Sequence, residues 1–168
     1  MWRFFNIPRG KETSADTWTE RNSARYGGGG SWSTYTLDMA SGEVFVPVGN
    51  PAPDFMPGHR PGANLFTNSL VVLDARTSAL KWWHQMAPND ELDLDIGASP
   101  MLYWNTKGEP MVAARQQGRA CVWRKSRDPP TGLHDPDHHH READSGARCQ
   151  GRAYLSGCTR WGRMNGTG

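Results

Sequence analysis

Leu73-Asp74-Ala75-Arg76-Thr77-Ser78 closes one apolar run, Thr67 to Asp74, and turns the chain into the next, Ala79 to Gln85. The first run contains Ser69-Leu70-Val71-Val72-Leu73, short and β-branched, as suits a buried strand. Asp favours such a turn because its carboxylate accepts the N–H groups that follow it. The same pattern, apolar-Asp-x-x-(Ser/Thr)-small, occurs at Leu37-Asp38 followed by Ser41-Gly42. Around that earlier turn, Ser31 to Leu37 alternates large and small residues, and Glu43 to Val48 reads as the returning strand. A further pair, Ser99 to Trp104 and Glu109 to Ala114, flanks Asn105-Thr106-Lys107-Gly108. The reading predicts an all-β fold of antiparallel meander strands, either propeller blades or a sandwich.

Composition supports short strands over packed helices. Only 36% of the 168 residues are hydrophobic, with 19 Gly, 12 Pro and 8 Trp. A net charge of +2 does not point to nucleic acid, and no stretch is long and apolar enough to span a membrane as a helix. Met1-Trp2-Arg3-Phe4-Phe5 lacks the apolar core and cleavage site of a signal peptide.

The composition breaks at Ala114/Arg115. Every Ile and Phe lies before it, whereas all three Cys, four of the six His and nine Arg lie after it. The predicted organisation is therefore a β unit over 1–114 and an irregular tail over 115–168. Cys121, Cys149 and Cys158 lack the C-x-x-C spacing of a zinc site, and His138-His139-His140 reads as a metal tract or an accident of composition.

Three stretches before the break carry chemistry. Gly27-Gly28-Gly29-Gly30-Ser31-Trp32 is a polyglycine turn ending in a large planar side chain. Gly49-Asn50-Pro51-Ala52-Pro53 flanks an amide oxygen with rigid residues, although Asn before Pro is also a common turn former. Asp90-Glu91-Leu92-Asp93-Leu94-Asp95 concentrates carboxylates, which suits a hard cation or a solvated acidic loop.

In this order and spacing, these stretches resemble the middle of the quinoprotein alcohol dehydrogenases, over about residues 2–114. Leu73-Asp74 to Trp82 resembles that family's tryptophan-docking turn, in which Asp and Thr close the turn and Trp packs between blades. The resemblance implies a partial β-propeller, roughly two or three blades of an eight-bladed whole. It implies pyrroloquinoline quinone (PQQ) as cofactor together with Ca²⁺ or a lanthanide ion. Trp32 then matches the residue on which the quinone lies flat, and Asn50 a ligand of the cation. Asp93 matches the catalytic base and a metal ligand, and Asp95 an extra carboxylate of the lanthanide-using branch. The implied substrate is a small primary alcohol, and the implied electron acceptor a cytochrome c or a quinone. The implied compartment is the periplasm. So few blades cannot enclose a cofactor, so the chain alone is expected not to turn over alcohol. A non-catalytic propeller-fragment scaffold, binding a partner through its Trp-rich surface, is the alternative. For the tail, codon degeneracy suggests a single-base shift near Arg115, since a His run read one base later encodes only Thr or Ile.

Overall fold

The computed structural model describes residues 1–9, 11–18, 27–117, 119–124, 148–150, 152–153 and 159–160. Its first sheet has four antiparallel strands in sequence order: β1 (Thr36–Asp38), β2 (Glu43–Val48), β3 (Ser69–Asp74) and β4 (Leu80–Gln85). The register sets Phe45 opposite Val72 and Val46 opposite Val71. Period-two alternation therefore sends neighbouring residues to opposite faces. Phe45, Leu70 and Val72 bury one face against Met86, Ile96 and two residues of the second sheet, Val112 and Ala114. Val46, Val48, Val71 and Leu73 bury the other against Leu65 and Phe66. Phe66 in turn meets Phe4 at a tilt and Trp83 edge-to-face, at ring centroid distances of 5.2 and 5.4 Å. Burial on both faces explains why β3 reads as a continuous apolar run. Each such side chain contributes about 1.5–3 kcal/mol relative to exposure.

The Asp74 turn closes as its sequence implies. Its Oδ1 accepts the N–H groups of Arg76 and Thr77, both at 3.0 Å, and the Thr77 hydroxyl at 2.9 Å. The Thr77 hydroxyl, then these backbone N–H groups, hold the Asp74 carboxyl below its ordinary range. Trp82 meets Phe45 edge-on at 6.2 Å and packs on the cluster shared by the two sheets, as a docking tryptophan would. Ser78 takes a left-handed φ of 62°, which costs a side chain that glycine lacks. Ser78→Gly is expected to raise stability by about 0.5–1 kcal/mol in thermal unfolding. A decrease would show that the weak Ser78 hydroxyl bond to Arg3 O, 3.4 Å, outweighs the strain.

The second sheet contains β5 (Met101–Trp104), β6 (Pro110–Gln116), β7 (Arg119–Arg124), β8 (Arg148–Gln150), β9 (Arg152–Ala153) and β10 (Thr159–Arg160). Two expectations need correction here. The ladder does not stop at Ala114/Arg115: β6 runs on to Gln116 and pairs with β7, Ala114 opposite Cys121 and Arg115 opposite Ala120. Hydrogen bonding carries the chain past the composition break, because a ladder needs backbone groups and not β-branched side chains. His138, His139, His140 and Cys158 lie outside the described residues.

The second correction concerns Ser31–Leu37, of which only the end is strand. Continued toward Ser31, the register would set Thr34 opposite Pro47, which has no N–H to donate. Instead Pro47 O accepts the Ser31 hydroxyl at 2.6 Å. The all-β, antiparallel, partial-propeller fold otherwise stands, with no α-helix among the described residues. None of their helices is long and apolar enough to cross a membrane.

Candidate functional site

Two loops leave the same end of the first sheet. Val48 at the end of β2 pairs with Ser69 at the start of β3, and Ser69 pairs with Gln85 at the end of β4. The chain after β2 carries Asn50 and the chain after β4 carries Asp93 and Asp95, so these residues share one end because of antiparallel pairing.

The glycine run lies against Gly49–Ala52. Gly29 N donates to Asn50 O at 2.8 Å, Gly49 N to Gly30 O at 2.7 Å, and Ala52 N to Gly27 O at 3.2 Å. Gly28 has φ +96°, and a Cβ there would stand 2.5 Å from Ala52 N, so the close approach requires glycine. The same pairing brings Trp32 beside Gly49. A Cβ on Gly49 would lie 3.2 Å from Trp32 Nε1 and 2.5 Å from Asp95 Oδ1. Trp32 is 74% exposed, so its indole is not part of the core.

Asp95 Oδ1 accepts the Asn50 N–H at 2.9 Å, joining the two loops directly. The Asn50 side-chain amide donates to Asp54 Oδ1 at 2.7 Å and more weakly to Pro51 O at 3.4 Å. With its donor end so committed, Asn50 presents Oδ1 as an acceptor only. In the acidic loop, the buried Asp90 carboxylate accepts Leu92 N at 3.0 Å and Leu94 N at 2.7 Å. Asp93 sits within this turn at a left-handed φ of 58°. This turn sets how the backbone at Asp93 relates to Asp95. Asp93 has its carboxyl raised above the ordinary range, first by desolvation, then by the charges of Asp54, Asp95 and Asp90.

Residues absent from the motif reading hold this arrangement. Arg60 is 0% exposed. Its guanidinium donates to Pro53 O at 3.0 Å, Asp54 O at 2.8 Å and Asn64 Oδ1 at 2.9 Å, and also to Asp90 O. Burial pushes its pKa down, and the charges of Asp90 and Asp54 oppose that shift. Arg60 thus pins the chain after β2 to the acidic loop. Nothing in His59-Arg60-Pro61 reveals burial; only the loops folding over it do. Asp54 gave no signal either, standing outside the acidic run.

The donor set fits a hard cation in kind: the amide oxygen of Asn50 and the carboxylates of Asp93 and Asp95. Among the described residues, no three His, Cys, Asp or Glu side chains already surround one point. The exposed face of Trp32 fits a flat, electron-poor ring.

A four-stranded meander with a tryptophan packed in the seam, and oxygen-bearing loops at one end, is the architecture of a propeller blade. Residues 1–119 match the profile of the family described as glucose/ethanol/alcohol dehydrogenase, beta-propeller domain. The chain belongs to this PQQ-dependent dehydrogenase propeller family. The lanthanide-dependent methanol dehydrogenase of Methylorubrum extorquens is 33% identical over 100 residues, covering 60% of this chain and 16% of that protein. Quinohemoprotein alcohol dehydrogenase ADHIIG of Pseudomonas putida HK5 superposes with a TM-score of 0.65 at 26% identity, over 79% of this chain and 22% of that one. A europium-containing methanol dehydrogenase gives 0.60 at 25% identity, over 69% of this chain and 21% of that one. This chain therefore spans a small part of the relatives it matches.

Proposed function

We propose that this chain is part of a PQQ-dependent dehydrogenase that oxidises a primary alcohol, and that by itself it holds only one portion of the active site. The observation that carries the reading is the convergence of Trp32, Asn50 and Asp95 at Gly49, with Asp93 two residues before Asp95 in the same acidic loop. PQQ, when bound, supplies the hydride acceptor, and Ca²⁺ or a lanthanide ion supplies Lewis acidity at its carbonyl. The side chains then have separate tasks. Trp32 offers its indole face to the flat ring. Asn50, Asp93 and Asp95 offer oxygens to the cation. Asp93 takes the hydroxyl proton of the alcohol as general base. Asp95 adds charge that favours a trivalent over a divalent ion. The complete enzyme would act in the periplasm and deliver electrons to a cytochrome c or a quinone.

A scaffold reading is favoured by different residues: Tyr35, Leu37, Met101 and Trp104 are exposed on or beside β1 and β5. A titration separates the two. The 168-residue chain is mixed with PQQ with and without Tb³⁺, and tryptophan fluorescence is followed. The enzyme reading expects saturable quenching that requires the ion and falls in Trp32→Ala. Quenching that ignores both the ion and Trp32 would overturn it and leave the scaffold reading.

A further inference from the structure

We infer that Gln116 is a positioning residue for the carboxylates Asp93 and Asp95, acting through the backbone between them; its functional meaning rests on the reading above. Gln116 ends β6 and is 0% exposed. Its Nε2 donates to Leu94 O at 2.6 Å, the carbonyl that separates the two aspartates. The next residue repeats the contact with its backbone, Gln117 N donating to Asp95 O at 3.1 Å. A strand end thus grips two successive carbonyls of the acidic loop. Asp95 passes the constraint on, since its carboxylate receives the Asn50 N–H at 2.9 Å. Asp90 fixes the inner side of the turn by accepting Leu92 N and Leu94 N, so residues 92–95 are held from both sides.

The other end of the same amide points to a role beyond stability. Gln116 Oε1 is buried and finds no hydrogen-bond partner among the described residues. Val112 and Ala114 precede it at alternate positions on β6, both buried in the core. An unsatisfied buried acceptor is unfavourable, and an apolar side chain of similar length would avoid that cost. The amide is therefore a poor choice for packing and a good one for holding Leu94 O. Because Asp93 lies in a left-handed turn, small rotations there re-aim its carboxylate. Positioning of this kind demands tolerances of about half an ångström.

The test uses the whole chain and two substitutions. Gln116→Met keeps length and removes the donor; Gln116→Asn keeps the amide but falls one carbon short. Amide hydrogen exchange is read at Leu92, Leu94 and Gln117, with Val71 and Val72 as references in the same molecule. Both variants are expected to exchange about tenfold faster at the loop amides, the loss of one hydrogen bond. The reference amides should keep their rates, and the Gln116→Met melting temperature should hold or rise. Unchanged loop rates, or loop rates that rise only in step with Val71 and Val72, would overturn the inference. Tryptophan-sensitised Tb³⁺ luminescence supplies the functional arm, with affinity expected to fall about tenfold in both variants. A wild-type chain that binds no Tb³⁺ would overturn the cation reading alone, because the exchange result does not depend on the ion. Wild-type binding with unaltered affinity in the variants would overturn the positioning role.

Discussion

Asp93→Asn is expected to lower alcohol oxidation by about 10²–10⁴-fold once residues 27–117 replace their counterparts in the lanthanide-dependent methanol dehydrogenase. Asparagine keeps the shape and one oxygen for a cation but cannot accept a proton at neutral pH. The fold should survive, because the charge is not what holds the loop. Desolvation and the charges of Asp54, Asp95 and Asp90 raise the Asp93 pKa. A carboxyl raised on folding weakens the folded state as pH climbs from its unfolded pKa to its folded one. Removing that charge therefore relieves repulsion above this window. In the same chimera, Asp95→Ala should reduce lanthanide-supported turnover more than calcium-supported turnover. Normal turnover by the Asp93→Asn chimera would remove Asp93 from the role of base.

Arg60→Leu is expected to cost about 3–5 kcal/mol of folding stability, a loss measurable by urea unfolding. The guanidinium is fully buried and satisfies Pro53 O, Asp54 O, Asn64 Oδ1 and Asp90 O. Leucine leaves these acceptors without donors in a place water does not reach freely. It also removes a positive charge on which Asp90 and Asp54 both act electrostatically. Lysine should recover only part of the loss, since one ammonium cannot reproduce the planar fork. A loss below about 1 kcal/mol would mean the two loops hold together without Arg60.

The strands were readable to different depths. Glu43–Val48 matches β2 residue for residue, and the core of Thr67–Asp74 is β3, because Phe45, Val71 and Val72 are buried by any partner their register allows. The Asp74 turn was equally plain, its bonds being local. Ser31–Leu37 was not, since the missing donor at Pro47 matters only once Thr34 would have to face it. The end of the ladder was misplaced for a related reason. Apolar content falls at Arg115, but pairing with β7 depends on backbone groups that composition does not report.

The candidate site divides the same way. Sequence by itself determined the family, the all-β fold, and the candidate residues Trp32, Asn50, Asp93 and Asp95. Their side-chain chemistry and spacing are one-dimensional properties. Tertiary structure alone decided that the glycine run lies on Gly49–Ala52, that Asp95 bonds Asn50, and that Asp93 sits in a left-handed turn. It alone recruited Arg60 and Gln116, whose roles arise from burial and from carbonyls 30 and 22 residues distant in the chain. Contacts at such separations depend on the summed geometry of every intervening turn, which no local preference encodes.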